Sequence, residues 1–291
     1  MARFSGKVVA ITGGGSGLGR ECALQWSEEG GKIVVTDIVE ERALKVAAEI
    51  TDKGGAALGV VADVSVEGDM ENAVNTATKH FGQLDIMFAN AGITQAGWGR
   101  ISLEDLTESQ WDEVVNVVYK GVWLAAKHAC RQMKRQGRGG NIVVTTSAGG
   151  LNSYPGYGAY CSGKAGAIGL IKSMAHEWGR YGIRVNGLAP THGMSVNFAL
   201  PPDAPVIGLS YEDYAVQESG KEWDAKVMFP GPLKVSRPPS LRDNAAVATF
   251  LASDDSMYIS GLTIPSCDGG NFAITSIPIP DDFDLSSKGD L

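Results

Sequence analysis

Short apolar runs alternate along this chain with longer stretches in which apolar residues recur at every third or fourth position. The runs at 7–11, 32–36, 57–61, 84–88, 141–146, 183–188 and 262–266 predict strands. Helical spacing falls near 18–29, 40–53, 67–81, 107–136, 158–179 and 241–253. Strands and helices that alternate across short turns predict an α/β fold, a parallel sheet of about seven strands with helices on both faces. No composition shift, charge block or repeat marks a boundary, so one domain is expected. Two segments break the rhythm. Residues 191–236 are rich in Pro, Met and aromatic residues, and the tail after Asn271 has little periodicity.

Composition narrows the class. The 291 residues suffice for one large domain with a substantial core. A net charge of −8 argues against nucleic-acid or anionic-membrane partners. No apolar run approaches the roughly 20 residues of a membrane span, and the start of the chain lacks the apolar stretch of a secretion signal. Cys22, Cys130, Cys161 and Cys267 are scattered without metal-ligand spacing, as are the four histidines. Reduced thiols, no metal and a cytoplasmic location are therefore expected.

The first strand runs straight into Thr12-Gly-Gly-Gly-Ser-Gly-Leu-Gly19, and a helical pattern follows. Strand, glycine turn and helix aim free backbone N–H groups at a phosphate. The second strand ends in Asp37, whose carboxylate suits both ribose hydroxyls of an adenosine and would repel a 2′-phosphate. NAD is thus expected over NADP. Further along, Tyr160 and Lys164 are four residues apart, on one face of a helix. A phenol is too weak an acid to exchange protons near neutral pH, and a nearby ammonium is expected to bring its pKa toward working range.

Assembled, these residues resemble the short-chain dehydrogenase/reductase family over roughly residues 5–272. Gly13, Ser16, Gly17, Leu18 and Gly19 are similar to its cofactor turn, with Asp37-Ile38 at the adenosine end. Asp63-Val64 looks like its adenine-contacting pair and Asn90-Ala91-Gly92 like its fourth-strand motif. Ser147 stands thirteen residues before Tyr160, the family's usual spacing, and Tyr160-x-x-x-Lys164 is its catalytic signature. Asn186 and Pro190 match the stretch near nicotinamide, with Gly193 able to offer an N–H to the carboxamide and Ser195 a hydroxyl near the pyrophosphate. Asp268-Gly269-Gly270 matches the end of the last strand. The resemblance implies a Rossmann-type doubly wound sheet in a single catalytic and dinucleotide-binding domain, 1–272. Residues 191–236 form a substrate lid inserted in it, and 273–291 are a C-terminal tail. It also implies a homo-oligomer, tetramer or dimer, that pairs helices 107–136 and 158–179 and the last strands.

In the chemistry so implied, Ser147 orients the substrate oxygen, Tyr160 moves the proton, Lys164 holds the ribose and biases the phenol, and NAD carries the hydride. One departure concerns the proton path. The family carries an Asn three residues before Gly121, where a water links Lys to solvent, and here that position is Val118. Asn116 is two residues early, about 200° round a helix. The long apolar lid, together with Trp98, Tyr154, Tyr157, His192, Met194 and Phe198, predicts a bulky, mostly apolar secondary alcohol or ketone as substrate. The aromatics have the alternative of packing on a partner subunit, and His192 of facing solvent. Two further readings of function remain: an epimerase or dehydratase on the same cofactor fold, and a non-catalytic NAD-binding regulator.

Overall fold

The protein is described from a computed structural model, which describes residues 2–95, 101–200, 204–228 and 233–267. Seven strands form one sheet: β1 (Val8–Thr12), β2 (Lys32–Asp37), β3 (Ala56–Val61), β4 (Ile86–Ala89), β5 (Gly140–Thr145), β6 (Ile183–Pro190) and β7 (Thr263–Ser266). Every pairing is parallel, in the order β3-β2-β1-β4-β5-β6-β7. The strands around the centre are buried along almost their whole length because helices cover both faces of the sheet. In chain order the helices are α1 (Gly17–Glu28), α2 (Glu40–Asp52), α3 (Glu67–Phe81), α4 (Glu108–Val115), α5 (Gly121–Gln136), α6 (Ala148–Leu151), α7 (Gly158–Trp178), α8 (Tyr211–Ser219), α9 (Ala225–Met228) and α10 (Leu241–Ala252).

The core lies in two layers. On one face α3, α5 and α7 bury Met70, Val74, Leu124, Met133 and Ile171 against the sheet. On the other, α1, α2 and α10 bury Trp26, Val46, Ile50 and Leu251. Trp26 sits between Phe4 and Phe88, with ring centroids 5.2 and 5.3 Å away. Its indole N–H donates to Thr249 Oγ1 at 2.7 Å, so the polar end of this fully buried ring is satisfied.

Chain order reverses between β1 and β4, since β2 and β3 lie on one side of β1 and the later strands on the other. The crevice outside the carboxyl ends of these strands is where open α/β sheets take their ligands.

Two elements differ from the sequence expectation. The helix expected over 107–136 is interrupted by a π turn, Asn116–Lys120, in which the Gly121 N–H donates to the Asn116 carbonyl. The connection 191–236 carries α8 and α9 and a short 3-10 turn, Val196–Ala199. The expected tail 273–291 and Asp268-Gly269-Gly270 lie outside the described residues.

Candidate active site

The candidate residues gather at the carboxyl edge of the sheet because most of them follow a strand directly. Thr12 ends β1 and turns the chain through Gly13, which has φ +61°. A Cβ on Gly13 would lie 2.9 Å from Ala91 Cα, so only glycine lets the two strand ends approach this closely. Thr12 Oγ1 accepts from the N–H groups of Asn90 and Ala91 at 3.0 Å each. Ser16, extended and without a capping bond of its own, leads into α1, whose first turn buries Gly17, Leu18 and Gly19.

Asp37 ends β2 with only 7 % of its surface exposed. Its carboxylate accepts from Gly15 N–H at 3.0 Å and Val39 N–H at 3.1 Å. Burial raises its pKa above the ordinary carboxylate value, while those N–H groups and Arg42 oppose the rise. Its neighbour Ile38 is largely exposed. After β3, Asp63 accepts from the backbone and hydroxyl of Ser65, and Val64 is buried against Gly121.

Asn90 ties three strands together. Its amide donates to the carbonyls of Thr12 and Gly13, and its oxygen accepts from Thr145 Oγ1 at 3.0 Å. The Thr145 carbonyl in turn accepts from Lys164 Nζ at 2.8 Å. A continuous chain of hydrogen bonds therefore joins the glycine turn to Lys164. Gly92 lies beside its end, since a Cβ there would be 3.5 Å from Lys164 Nζ.

Ser147, Tyr160 and Lys164 come together. Ser147 caps α6 by accepting from Gly149 N–H at 3.0 Å, and its hydroxyl is hydrogen-bonded with that of Tyr160. Lys164 Nζ stands 5.8 Å from the centroid of the Tyr160 ring. Both side chains are buried on α7. The expected lowering of the phenol pKa is absent in the protein alone. Burial raises it above its ordinary value, against the pull of Ser147, and lowers Lys164 to about 7. The lysine donates its hydrogen bond to a carbonyl, and burial is the largest influence on the phenol.

Val118 is fully buried with Val114, Ala159, Tyr160 and Cys161. A Cβ on Gly163 would lie 2.5 Å from its Cγ2. The π turn thus leaves Val118 facing α7, while Asn116 is only partly buried.

The residues after β6 form the nicotinamide-side loop of the resemblance. Pro190 pairs with Ser266 at the strand end. Ser195 is buried against the glycine turn, where a Cβ on Gly17 would meet it at 2.9 Å. The Gly193 N–H, expected to serve a carboxamide, instead donates to Glu212 Oε2 at 3.2 Å, because α8 folds back over this loop. His192 does not face solvent: Nδ1 lies 3.4 Å from Glu212 Oε1. The Met194 carbonyl accepts from Tyr211 N–H, and Phe198 sets its ring edge-on to Tyr160 with centroids 6.0 Å apart. Tyr157 packs beside this cluster, Tyr154 is 42 % exposed, and Trp98 lies outside the described residues. Sequence reasoning placed Thr12 in the glycine turn but missed Thr145, Gln95 and Glu212. Of these three, only Thr145 carries a local signal, two residues before Ser147 in the same strand-to-turn run.

Comparison with known proteins agrees with this geometry. Residues 7–196 match the profile of the short chain dehydrogenase family. Levodione reductase of Leifsonia aquatica is 34% identical over 273 residues, 93% of this chain and 96% of that protein. Secoisolariciresinol dehydrogenase of Forsythia intermedia is 35% identical over 278 residues, 94% of this chain and 92% of that protein. The crystal structure of levodione reductase superposes with a TM-score of 0.76 at 33% identity, covering 94% of this chain and 100% of that one. The chain belongs to the short-chain dehydrogenase/reductase family. Members of this family are oxidoreductases that use a nicotinamide nucleotide, NAD or NADP.

Proposed function

We propose that this chain is an NAD(H)-dependent oxidoreductase that interconverts a bulky, mostly apolar secondary alcohol and its ketone, with Tyr160 as acid/base. The observation that carries this reading is the convergence of Ser147, Tyr160 and Lys164 at the sheet edge, hydrogen-bonded through to the glycine turn. The turn fits a dinucleotide. A Cβ on Gly15 would meet Asp37 Oδ2 at 2.8 Å and one on Gly17 would meet Ser195, so the turn presents backbone rather than side chains. Asp37 would hold the adenosine ribose, and its buried carboxylate disfavours a 2′-phosphate.

When bound, the cofactor supplies the redox step. The chain supplies position and proton. Ser147 orients the substrate oxygen, and Tyr160 takes the alcohol proton as its phenolate or, as the phenol, returns one to the oxygen of a ketone under reduction. Lys164, fixed on the Thr145 carbonyl, would reach the ribose and biases the phenol when charged. Val118 places an apolar wall at the usual relay position, so no side chain there passes the proton on. The connection 191–236 acts as the substrate lid, and its Phe198 ring beside Tyr160 supports an apolar substrate. Tyr154, Tyr157 and Met194 would extend that wall. The working form is a cytoplasmic homo-oligomer without nucleic-acid or membrane partners.

The test follows nicotinamide absorbance with NAD(H) and NADP(H) against alicyclic, aromatic and steroid-like alcohols and ketones. Turnover with NAD and bulky substrates is expected. Product without net NADH change would transfer the site to epimerase or dehydratase chemistry, and binding alone to a regulatory role. Activity confined to small charged hydroxy acids would remove the lid reading.

A further inference from the structure

The amino end of α7 lacks its own closing side chain. The first N–H groups of a helix have no partner within it, and Ser, Thr, Asp or Asn at the cap usually supplies one. Here the cap position is Tyr157, whose side chain makes no such bond. Gln95 fills the gap from the segment that leaves β4 through Asn90-Ala91-Gly92. Its side chain is fully buried. Oε1 accepts from Ala159 N–H at 3.0 Å and from Tyr160 N–H at 3.4 Å. Nε2 donates to the Gly156 carbonyl at 2.7 Å, which fixes which way the amide points.

We propose that Gln95 is a positioning residue for Tyr160: its amide, docked on the first turn of α7, holds the backbone of the acid/base, and its neutrality keeps negative charge away from the phenol. The inference rests on the oxidoreductase reading above.

The choice of amide over acid carries the second half of the argument. Glutamate has the same reach, and a carboxylate is the stronger acceptor for helix N–H groups and is favoured by the helix dipole. Helix stability alone therefore points to Glu. A carboxylate would, however, lose the bond to the Gly156 carbonyl and put a fixed anion at the backbone N–H of Tyr160, whose buried phenol passes through its ionised form in the proposed reaction. The groups already facing that phenol are Ser147 after β5, Tyr154 before α7, Cys161 and Lys164 on α7, and the Phe198 ring after β6. Among the described residues in this set, Lys164 alone offers a positive charge. An anion at position 95 would oppose it.

The test uses the full chain with Gln95→Ala and Gln95→Glu. Cofactor affinity is read by nicotinamide fluorescence, and kcat and KM for alcohol oxidation are read across pH. Gln95→Ala is expected to lower kcat by about tenfold or more, since small misplacements of a catalytic group are expensive, with substrate KM changed less than about threefold. Gln95→Glu is expected to move the ascending limb of the kcat profile upward by about one pH unit, with activity recovered at high pH. Gln95→Ala kcat within about twofold of the parent, or a Gln95→Glu profile superimposable on the parent's, overturns the proposal. If the alanine variant fails to fold or to bind cofactor, the glutamate profile decides alone. A parent that turns over no alcohol or ketone overturns both this proposal and the oxidoreductase reading. A parent that turns over, with variants unmoved, removes only the role of Gln95.

Discussion

Lys164 holds a position in which burial and charge oppose one another. The residue is 2 % exposed, its ammonium is bonded to a carbonyl, and burial depresses its pKa to about 7. In the unfolded chain a lysine keeps its proton to about pH 10.4. Between those values the unfolded chain binds more protons, so stability rises with pH. Tyr160 acts in the opposite sense, but only above about pH 10, where an unfolded phenol ionises before the buried one. The melting temperature of the cofactor-free protein should therefore climb between pH 7 and about 10 relative to Lys164→Met. Parallel curves for the two proteins would contradict the assignment. At Tyr160 itself, substitution by Phe removes the proposed proton carrier and keeps the ring against Phe198. Turnover should fall by about 10²–10⁴-fold with cofactor binding retained, as measured by steady-state kinetics and fluorescence titration.

At the scale of elements, α6 and α7 meet with no space to spare. A Cβ on Gly150 would lie 2.8 Å from the backbone carbon and oxygen of Lys164, atoms that no rotamer change can move away. Gly150→Ala should cost about 1–3 kcal/mol of stability and reduce turnover more than cofactor affinity, checked by denaturant melts beside kinetics. Strands and most helices were legible in the sequence because a sheet covered on both faces requires unbroken apolar runs, such as Val8 to Ile11. Tyr160 and Lys164 were legible because helical spacing alone puts them on one face. The π turn at Asn116–Lys120 was not, since Val114, Val115, Val117 and Val118 run through it as one apolar stretch that hides the change of phase. The capping by Gln95 was hidden as well: a polar residue after a glycine reads as solvated loop, and its partners are more than sixty positions away. Glu212 escaped for the same reason, because its hold on Gly193 exists only once α8 has folded back.

Over the whole molecule, the connection 191–236 is held both from outside and from within. Arg42, from the helix after β2, donates to the Ala204 carbonyl at 2.5 Å, Asn244 donates to the carbonyls of His192 and Gly193, and Glu212 binds Gly193 and His192 inside the connection. Glu212→Ala should make 204–228 more sensitive to limited proteolysis, with Glu212→Gln intermediate because it keeps an acceptor for Gly193 N–H. Equal cleavage in all three proteins would remove Glu212 as an anchor. Along α4, the π turn and α5, Trp111, Tyr119 and Trp123 are partly exposed, at 36 %, 38 % and 41 %. A stripe of large aromatics on one surface is the kind of face that a second copy of the chain covers. Trp123→Glu should lower the assembly size in sedimentation if helix pairing builds the oligomer, and leave it unchanged otherwise.

The bonded path from Gly13 through Asn90 and Thr145 to Lys164 runs entirely along the sheet edge and borrows nothing from the lid. Residues of 191–236 meet this path by packing, with Ser195 against the glycine turn and Phe198 beside Tyr160. Under the proposed function, the rest of that connection is free to diverge or lengthen while the bonded groups of the sheet edge stay in register. A scaffold of this kind changes its diet without relearning its chemistry.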